Sequence, residues 1–126
     1  VVAGESDFGA GRVYALRTRF ADSALPYARA MQRALAPLGI IAGDNLADGG
    51  ADVGGVHATA GAPVVDLAQD GSLYFDYHHT PDDTLYAVNA DDVRQNVAAW
   101  ALFAYLAAET DWVFGASTAP APAAQH

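Results

Sequence analysis

Apolar positions follow two different patterns along the chain. Short continuous apolar runs are typical of strands buried on both faces of a sheet, and apolar residues three or four positions apart are typical of one face of a helix. The predicted strands are residues 1–4, 13–19, 40–42, 63–67 and 73–77, and the predicted helices are residues 24–38 and 91–109. This order predicts an α/β fold, in which a mixed, mostly parallel sheet of about four or five strands is flanked by helices.

The two predicted helices have recognisable ends. Ser23 is placed to cap the first helix, and Gly39 is placed to end it, because glycine adopts the left-handed conformation without steric cost. Asn89 is placed to cap the last helix. The glycine- and aspartate-rich residues 43–55 are predicted to form a loop. The buried face of the last helix is predicted to consist of Val93, Val97, Trp100, Ala101, Ala104 and Ala108, broadened by Leu102, Phe103 and Leu106.

The composition limits the possible function. The chain has 126 residues, enough for one domain, and no cysteine, which excludes disulfides and thiol chemistry. The formal net charge of −9 disfavours nucleic-acid binding, because an acidic surface repels phosphate groups. No apolar run approaches the roughly 20 residues of a membrane-spanning helix. Residues 1–116 are predicted to form the folded part, and the Ala/Pro-rich residues 117–126 a disordered tail.

Candidate chemistry concentrates in two polar segments that follow predicted strands. Asp7 follows the first strand, at the kind of position where functional side chains gather in open α/β sheets. Residues 74–85 place two adjacent histidines after an aromatic strand, and a threonine, a proline and two carboxylates follow. A neutral imidazole is a good zinc ligand, and a carboxylate near it can fix its orientation. The alternative interpretation is a polar turn with surface histidines.

Six segments in order resemble the C-terminal part of the co-catalytic di-zinc exopeptidases, a family that includes secreted bacterial aminopeptidases and plasma glutamate carboxypeptidase. The segments are Glu5-Ser6-Asp7-Phe8-Gly9, residues 24–38, Gly49-Gly50-Ala51-Asp52-Val53, Gly61-Ala62-Pro63-Val64-Val65, His78-His79-Thr80-Pro81-Asp82-Asp83-Thr84 and residues 91–109. Each segment is weak alone, and their common order makes the match specific. The resemblance implies that residues 1–116 are the C-terminal portion of a zinc-peptidase catalytic domain.

The resemblance implies roles for individual residues. Asp7 matches a ligand of one zinc ion, and His79 matches a ligand of the other. Asp83 matches the aspartate of the histidine segment. It is expected either to contact a zinc-binding side chain from outside the metal site and fix its orientation, or to order the loop. His78 is expected to be structural or exposed. The side chains that match the wall of the substrate pocket are Tyr74, Phe75 and Tyr77.

The resemblance also implies that parts of the site lie elsewhere. In the family, the other ligands of the two zinc ions and the glutamate general base precede the matching segment, and neither Glu5 nor Glu109 matches that base. The chain is therefore expected to be inactive alone. It is expected to associate with the remainder of the catalytic domain or with a second copy, through an apolar face or a strand edge near residues 1–2 and 64–65.

The complete enzyme is expected to be periplasmic or secreted, to use two zinc ions, and to cleave peptide bonds at a chain end or in dipeptides. The alternative is a non-catalytic α/β binding or interaction module that retains part of the peptidase fold.

Overall fold

A four-stranded mixed sheet with helices packed on it forms the framework of the protein. The structure is a computed structural model and describes residues 1–117. The strands are β1 Ala3–Glu5, β2 Val13–Arg19, β3 Ile41–Ala42 and β4 Val64–Gln69. The α-helices are α1 Leu25–Leu35, α2 Gly50–Ala60, α3 Tyr74–Tyr77 and α4 Ala90–Ala108. The predicted α/β class, with its mixed sheet and flanking helices, is confirmed.

The strand order β1-β4-β2-β3 places β1 and β3 at the edges of the sheet. β1 runs parallel to β4, with Gly4 opposite Val65, and β2 runs parallel to β3. β2 and β4 are antiparallel, with Leu16 opposite Leu67. The carboxyl ends of β1 and β4 therefore meet at the same edge of the sheet, and β2 begins there. Residues 64–65 lie in the interior strand β4, so the prediction of an unpaired edge at these residues is wrong.

The hydrophobic core lies between the β2–β4 pair and the helices α1 and α4. Its members are fully or almost fully buried and come from all four elements and the loops between them: Val13, Leu16, Phe20, Met31, Leu35, Ile40, Val65, Leu67, Ala99 and Phe103. The hydroxyl of Tyr27 donates a hydrogen bond of 2.7 Å to the carbonyl of Leu106, which ties α1 to α4. Burial of these apolar side chains provides the main stabilisation of the fold.

Of the three residues predicted to mark helix ends, two do so in the structure. Gly39 adopts φ +79° and ends the helical segment as predicted, and the Asn89 side chain accepts hydrogen bonds from the backbone N–H groups of Asp91 and Asp92. Ser23 does not cap α1. It lies inside a 3₁₀ turn, Asp22–Ala24, which leads directly into α1 without a side-chain cap. The extra turn moves the start of α1 beyond the serine.

The buried face of α4 includes Phe103, as predicted, but otherwise differs from the predicted one. The buried residues are Gln95, Asn96, Ala99 and Phe103. Val97, which was predicted to be buried, is 63% exposed. The reason is hydrogen bonding: Gln95 Oε1 accepts from the Val13 N–H at 2.9 Å and its Nε2 donates to the Val13 carbonyl at 2.7 Å, so an amide side chain occupies a core position that an apolar pattern does not reveal.

Two helices lie where the sequence predicted none. α2 begins at Gly50, inside the predicted loop 43–55, and none of its residues is fully buried, so it lacks the apolar stripe on which helix prediction depends. α3 is a single turn, Tyr74–Tyr77, where an aromatic strand was predicted. The His78 N–H donates to the Tyr74 carbonyl at 2.8 Å and closes that turn. The aromatic and β-branched bias of such a short run does not determine its conformation.

Within residues 1–117 no helix is long and apolar enough to cross a membrane. The predicted tail, residues 117–126, lies outside the described residues except for Ser117.

Candidate functional site

The candidate site lies at the edge of the sheet where β1 and β4 end. Asp7 follows β1 by two residues, and β4 leads through a turn at Asp70 into α3 and the two histidines. Because β1 and β4 are adjacent and parallel, the segments that carry Asp7 and His79 leave the sheet at the same edge. Asp7 is exposed, and its carboxylate has no hydrogen bond or ion pair to any other residue in 1–117.

A continuous stack of rings connects the Asp7 loop with the histidines. The ring of Phe8, the neighbour of Asp7, lies 4.5 Å from that of Tyr74. Tyr74 stacks on His78 at 4.4 Å, and His78 stacks on His79 at 3.8 Å. The Tyr74 hydroxyl is also 3.3 Å from His78 Nε2. Gly71 permits this arrangement, because a Cβ at that position would overlap the Phe8 ring. His78 therefore has a structural role between Tyr74 and His79.

His79 has an unusual backbone. With φ +59° it is the one non-glycine residue among 1–117 in the left-handed region. Histidine is tolerated there better than most residues, but the conformation is still uncommon and is typical of functional sites. Its imidazole is exposed and makes no hydrogen bond within the described part of the chain. Thr80 holds the following turn, since its N–H and its hydroxyl both donate to the Tyr77 carbonyl, at 2.9 and 2.7 Å.

Two cavities meet at the Phe8–Tyr74 stack, which forms part of the wall of both. The smaller cavity, of about 200 Å³, is lined by Tyr77, His78 and Asp83. The larger cavity, of about 470 Å³, is lined by acidic side chains together with Tyr14 and Arg17. These acidic side chains are Glu5, Asp7, Asp48 and Asp66.

The predicted pocket residues are distributed unevenly over these cavities. Tyr74 lines both, and Tyr77 lines the smaller one. Phe75 lines neither and is 78% exposed, although its ring contacts that of Tyr74 at 5.1 Å. Asp83 faces the smaller cavity beside His78, and its backbone N–H donates to the Thr80 carbonyl at 3.1 Å, which orders the turn through the main chain.

Two of the carboxylates that line the larger cavity stabilise the neighbouring backbone by accepting hydrogen bonds. Glu5 Oε2 accepts hydrogen bonds of 3.0 Å from the N–H groups of both Asp52 and Val53, at the first turn of α2. Asp66 accepts from the N–H groups of Asp48 and Gly49 at 3.1 and 3.0 Å. Burial raises the pKa of Asp66, against the opposing effect of these two hydrogen bonds. Sequence reasoning missed both roles, although an aspartate inside the apolar run 63–67 was a signal for Asp66.

The donor atoms of Asp7 and His79 fit zinc in kind, because zinc takes carboxylate oxygen and imidazole nitrogen. Each side chain is exposed, and neither makes a hydrogen bond or an ion pair within residues 1–117, although the His79 ring stacks on His78. Among residues 1–117, however, there is no group of three or more His, Cys, Asp or Glu side chains that could hold a metal ion. A complete zinc centre needs about three protein ligands per ion. The described residues can therefore contribute ligands but do not form a whole centre.

No model of a known protein family matches the chain, and no curated protein matches it. Among solved structures, the chain is similar to the crystal structure of a Peptidase M28 precursor from Shewanella amazonensis SB2B, with 48% sequence identity and a TM-score of 0.85. The match covers 96% of this chain and 26% of that protein. The chain thus spans about a quarter of the length of that peptidase, and it has the sequence pattern and fold of a peptidase segment.

Proposed function

We propose that the chain is the C-terminal segment of a zinc-dependent exopeptidase of the M28 family, which hydrolyses peptide bonds at a chain end or in dipeptides. The observation that carries the proposal is the 48% identity with an M28 peptidase precursor over 96% of the chain. The identity extends over the whole α/β framework, so it supports a shared ancestry of the segment and not only a shared fold. The activity of the whole enzyme would then depend on residues outside this chain.

In this proposal Asp7 and His79 each hold one of two zinc ions. Asp7 follows β1, and His79 follows β4 after the turn and α3; neither side chain makes a hydrogen bond or an ion pair within residues 1–117. The left-handed backbone of His79, at φ +59°, is uncommon for a residue other than glycine and supports a functional role. When bound, zinc polarises the scissile carbonyl and lowers the pKa of a bound water. The task of Asp7 and His79 is to fix the metals at the end of the sheet.

The side chains around the ring stack would shape the substrate site. Tyr74 and Tyr77 offer apolar surface, and Phe75 lies beside them at the exposed rim. Asp83 faces the same cavity as His78 and would orient the histidine turn. The net charge of −9 favours a substrate that carries a free amine.

The general base and the other zinc ligands would come from the remainder of the catalytic domain. Glu5 is not available as a base, because its carboxylate caps α2, and Glu109 ends α4. General-base assistance contributes roughly 10²- to 10⁴-fold to such reactions. The isolated chain should therefore bind zinc weakly and hydrolyse peptides negligibly.

The surface for that remainder is the outer face of α4 and the free edge of β1. Val97 and Tyr105 are 63% and 62% exposed, and Ala101 and Ala104 lie between them. Trp100 packs close to Gly4, so this face continues onto the edge strand β1. Apolar patches and unpaired strand edges recruit partner chains. The alternative occupant is a second copy of the chain. The periplasmic or secreted location expected for the family belongs to the same proposal.

One observation favours a second function. The described residues contain no three-ligand metal group, which also fits a non-catalytic α/β binding module that keeps part of the peptidase fold. The two functions differ in whether the native polypeptide is longer than this chain and binds zinc.

The test combines two measurements on the native polypeptide. Its zinc content is measured by plasma mass spectrometry, and its activity is measured as hydrolysis of dipeptides and aminoacyl anilides. We expect about two zinc ions per polypeptide. Asp7→Ala and His79→Ala should each remove about one ion and abolish hydrolysis. The controls Asp76→Ala, an exposed carboxylate on α3, and His57→Ala, a histidine on α2, should retain both metal and activity. A native polypeptide without zinc, or full zinc content in the two site variants, would contradict the proposal.

A further inference from the structure

The loop that carries Asp7 and Phe8 is anchored by a pair of buried amide side chains. Gln69, the last residue of β4, accepts a hydrogen bond of 3.2 Å from the Ser6 hydroxyl through Oε1. Its Nε2 donates to the carbonyl of Gly9 at 3.0 Å. One glutamine therefore holds the loop on both sides of the Asp7–Phe8 pair. Asp7, which is exposed, and Phe8, whose ring stacks on Tyr74, thus lie in a segment that is fixed immediately before and after them.

A second amide extends this anchor to α4. Gln69 Nε2 also donates to Asn96 Oδ1 at 2.7 Å, and Asn96 Nδ2 donates to the Gly11 carbonyl at 2.9 Å. Asn96 Nδ2 further donates to the Asp92 carbonyl at 2.8 Å, one turn earlier in α4. The residues Ser6, Gly9 and Gly11 are thus joined through two side chains to β4 and to α4.

The burial of these amides makes the arrangement rigid. Gln69 and Asn96 are 8% and 9% exposed. A buried amide is costly unless its donors and acceptors are paired, so neither side chain can turn without losing several hydrogen bonds. Both amide groups are paired at their oxygen and nitrogen atoms, which fixes the loop at one distance from β4. Buried and fully paired polar networks specify one conformation.

We propose that Gln69 is the positioning residue for Asp7 and Phe8, with Asn96 as its support. Gln69 does not touch the metal or the substrate in this account. It fixes the position of the Asp7 carboxylate relative to the end of the sheet. It also holds the Phe8 ring against Tyr74, which preserves the stack of rings that ends at His79. The effect on metal binding rests on the proposed function. The effect on the loop does not.

The test compares Gln69→Glu with the matched control Gln32→Glu in the 126-residue chain. Gln32 is 9% exposed, close to the 8% of Gln69, and its Nε2 also donates two hydrogen bonds, of 3.1 Å each, to the carbonyls of Leu16 and Gly43. Both variants replace a donor by a carboxylate oxygen and should lower the melting temperature. The discriminating readout is the ¹⁵N order parameter of residues 7–11. It should fall from about 0.85 to below about 0.6 in Gln69→Glu and stay unchanged in Gln32→Glu.

The zinc affinity of the native polypeptide provides the second readout. Gln69→Glu should weaken it by about tenfold, as the loss of an outer support of a metal ligand does, whereas Gln32→Glu should not. If the polypeptide binds no zinc, the proposed function fails, and the order parameters still decide the positioning role. If Gln69→Glu does not fold, Ser6→Ala removes one bond of the anchor at an exposed residue and should lower the order parameters of residues 6–8 alone. Unchanged order parameters in whichever of these variants folds would overturn the inference.

Discussion

Two acidic regions border the end of the sheet and use their carboxylates in opposite ways. The first is the capped loop, residues 44–53 together with Glu5 and Asp66. There the Glu5 carboxylate accepts two backbone N–H groups, the Asp66 carboxylate accepts two more, and Asp44 pairs with Arg17 at 2.9 Å. The second is the open rim, which consists of Asp7 and the histidine segment, residues 78–83. Within residues 1–117 the side chains of Asp7, His79 and Asp83 accept or donate no hydrogen bond.

Carboxylates that stabilise a loop differ from free carboxylates in their hydrogen-bond partners. Glu5 and Asp7 are two residues apart and leave the same strand, yet Glu5 is committed to the α2 N-terminus and Asp7 is free. A carboxylate that satisfies backbone N–H groups stabilises a loop, and its removal exposes those groups. A free carboxylate at a strand end adds little to folding and remains available to a ligand. Position in the sequence cannot tell the two apart, whereas hydrogen-bond partners can.

The largest expected effect comes from breaking the capped loop at Gly50. This residue adopts φ +75°, and a Cβ there would overlap the Glu5 carboxylate. Gly50→Ala should lower the free energy of unfolding by about 3 kcal/mol, because the cost of a strained backbone adds to the cost of displacing the Glu5 carboxylate from α2. Gly55→Ala, in the same helix with open space around its Cα, is the control and should change stability by less than about 1 kcal/mol, toward higher stability. Urea unfolding measures both, and equal losses would contradict the role of Glu5 as a cap.

An intermediate effect should separate Asp66 from Asp7 directly. At neutral pH, Asp66→Ala should cost about 2 kcal/mol, since it leaves the N–H groups of Asp48 and Gly49 without their acceptor. Asp7→Ala should change the free energy of unfolding by no more than about 0.5 kcal/mol, as expected of an exposed side chain without partners. Chemical denaturation of both variants provides the comparison. A large loss for Asp7→Ala would show that the open rim is structural.

The smallest expected effect is a pH dependence inside the capped loop. The hydrogen bond from Arg17 lowers the pKa of Asp44 from its ordinary value of 3.8, so the stability from this pair is present above that value and is lost as the pH falls through the folded pKa. Asp44→Asn should therefore cost about 0.5 kcal/mol at neutral pH and progressively less in acid. The pKa of Asp66 is raised by burial, so its ionisation destabilises the fold: an added increment of stability is present below 3.8 and is lost as the pH rises through the folded pKa, while the hydrogen bonds from Asp48 and Gly49 remain. Unfolding free energies over a pH series should show opposite slopes for Asp44→Asn and Asp66→Asn relative to the unmodified chain.

The sequence pattern predicted an element correctly where its apolar residues are the ones that the fold buries. β2, β4, α1 and α4 have apolar runs or stripes of adequate length, and Gly39 and Asn89 mark helix ends by conformations and hydrogen bonds that few other residues provide. The α/β class followed from their order. The resemblance directed attention to Asp7 and His79, whose placement at neighbouring strand ends depends on the parallel pairing of β1 and β4.

Sequence pattern failed where tertiary contacts replace hydrophobicity. α2 is stabilised at its start by a carboxylate 47 residues away, so its own residues carry no helical stripe. α4 buries Gln95 and Asn96 because these amides bind main-chain groups of other segments, and Val97, which an apolar pattern would bury, is exposed. The anchoring role of Gln69 joins three segments distant in sequence and has no local signal.

The most direct test of the central claim is a crystal structure of the native polypeptide grown with zinc, with the metal located by anomalous scattering. We expect two peaks about 3.5 to 4 Å apart at the end of the sheet. One should lie about 2.0 to 2.2 Å from an Asp7 carboxylate oxygen, and the other at a similar distance from an imidazole nitrogen of His79. Glu5 and Asp66 should keep their bonds to the capped loop and contact neither metal. Zinc bound to Glu5 or Asp66, or a zinc pair that leaves Asp7 and His79 in solvent, would contradict the account.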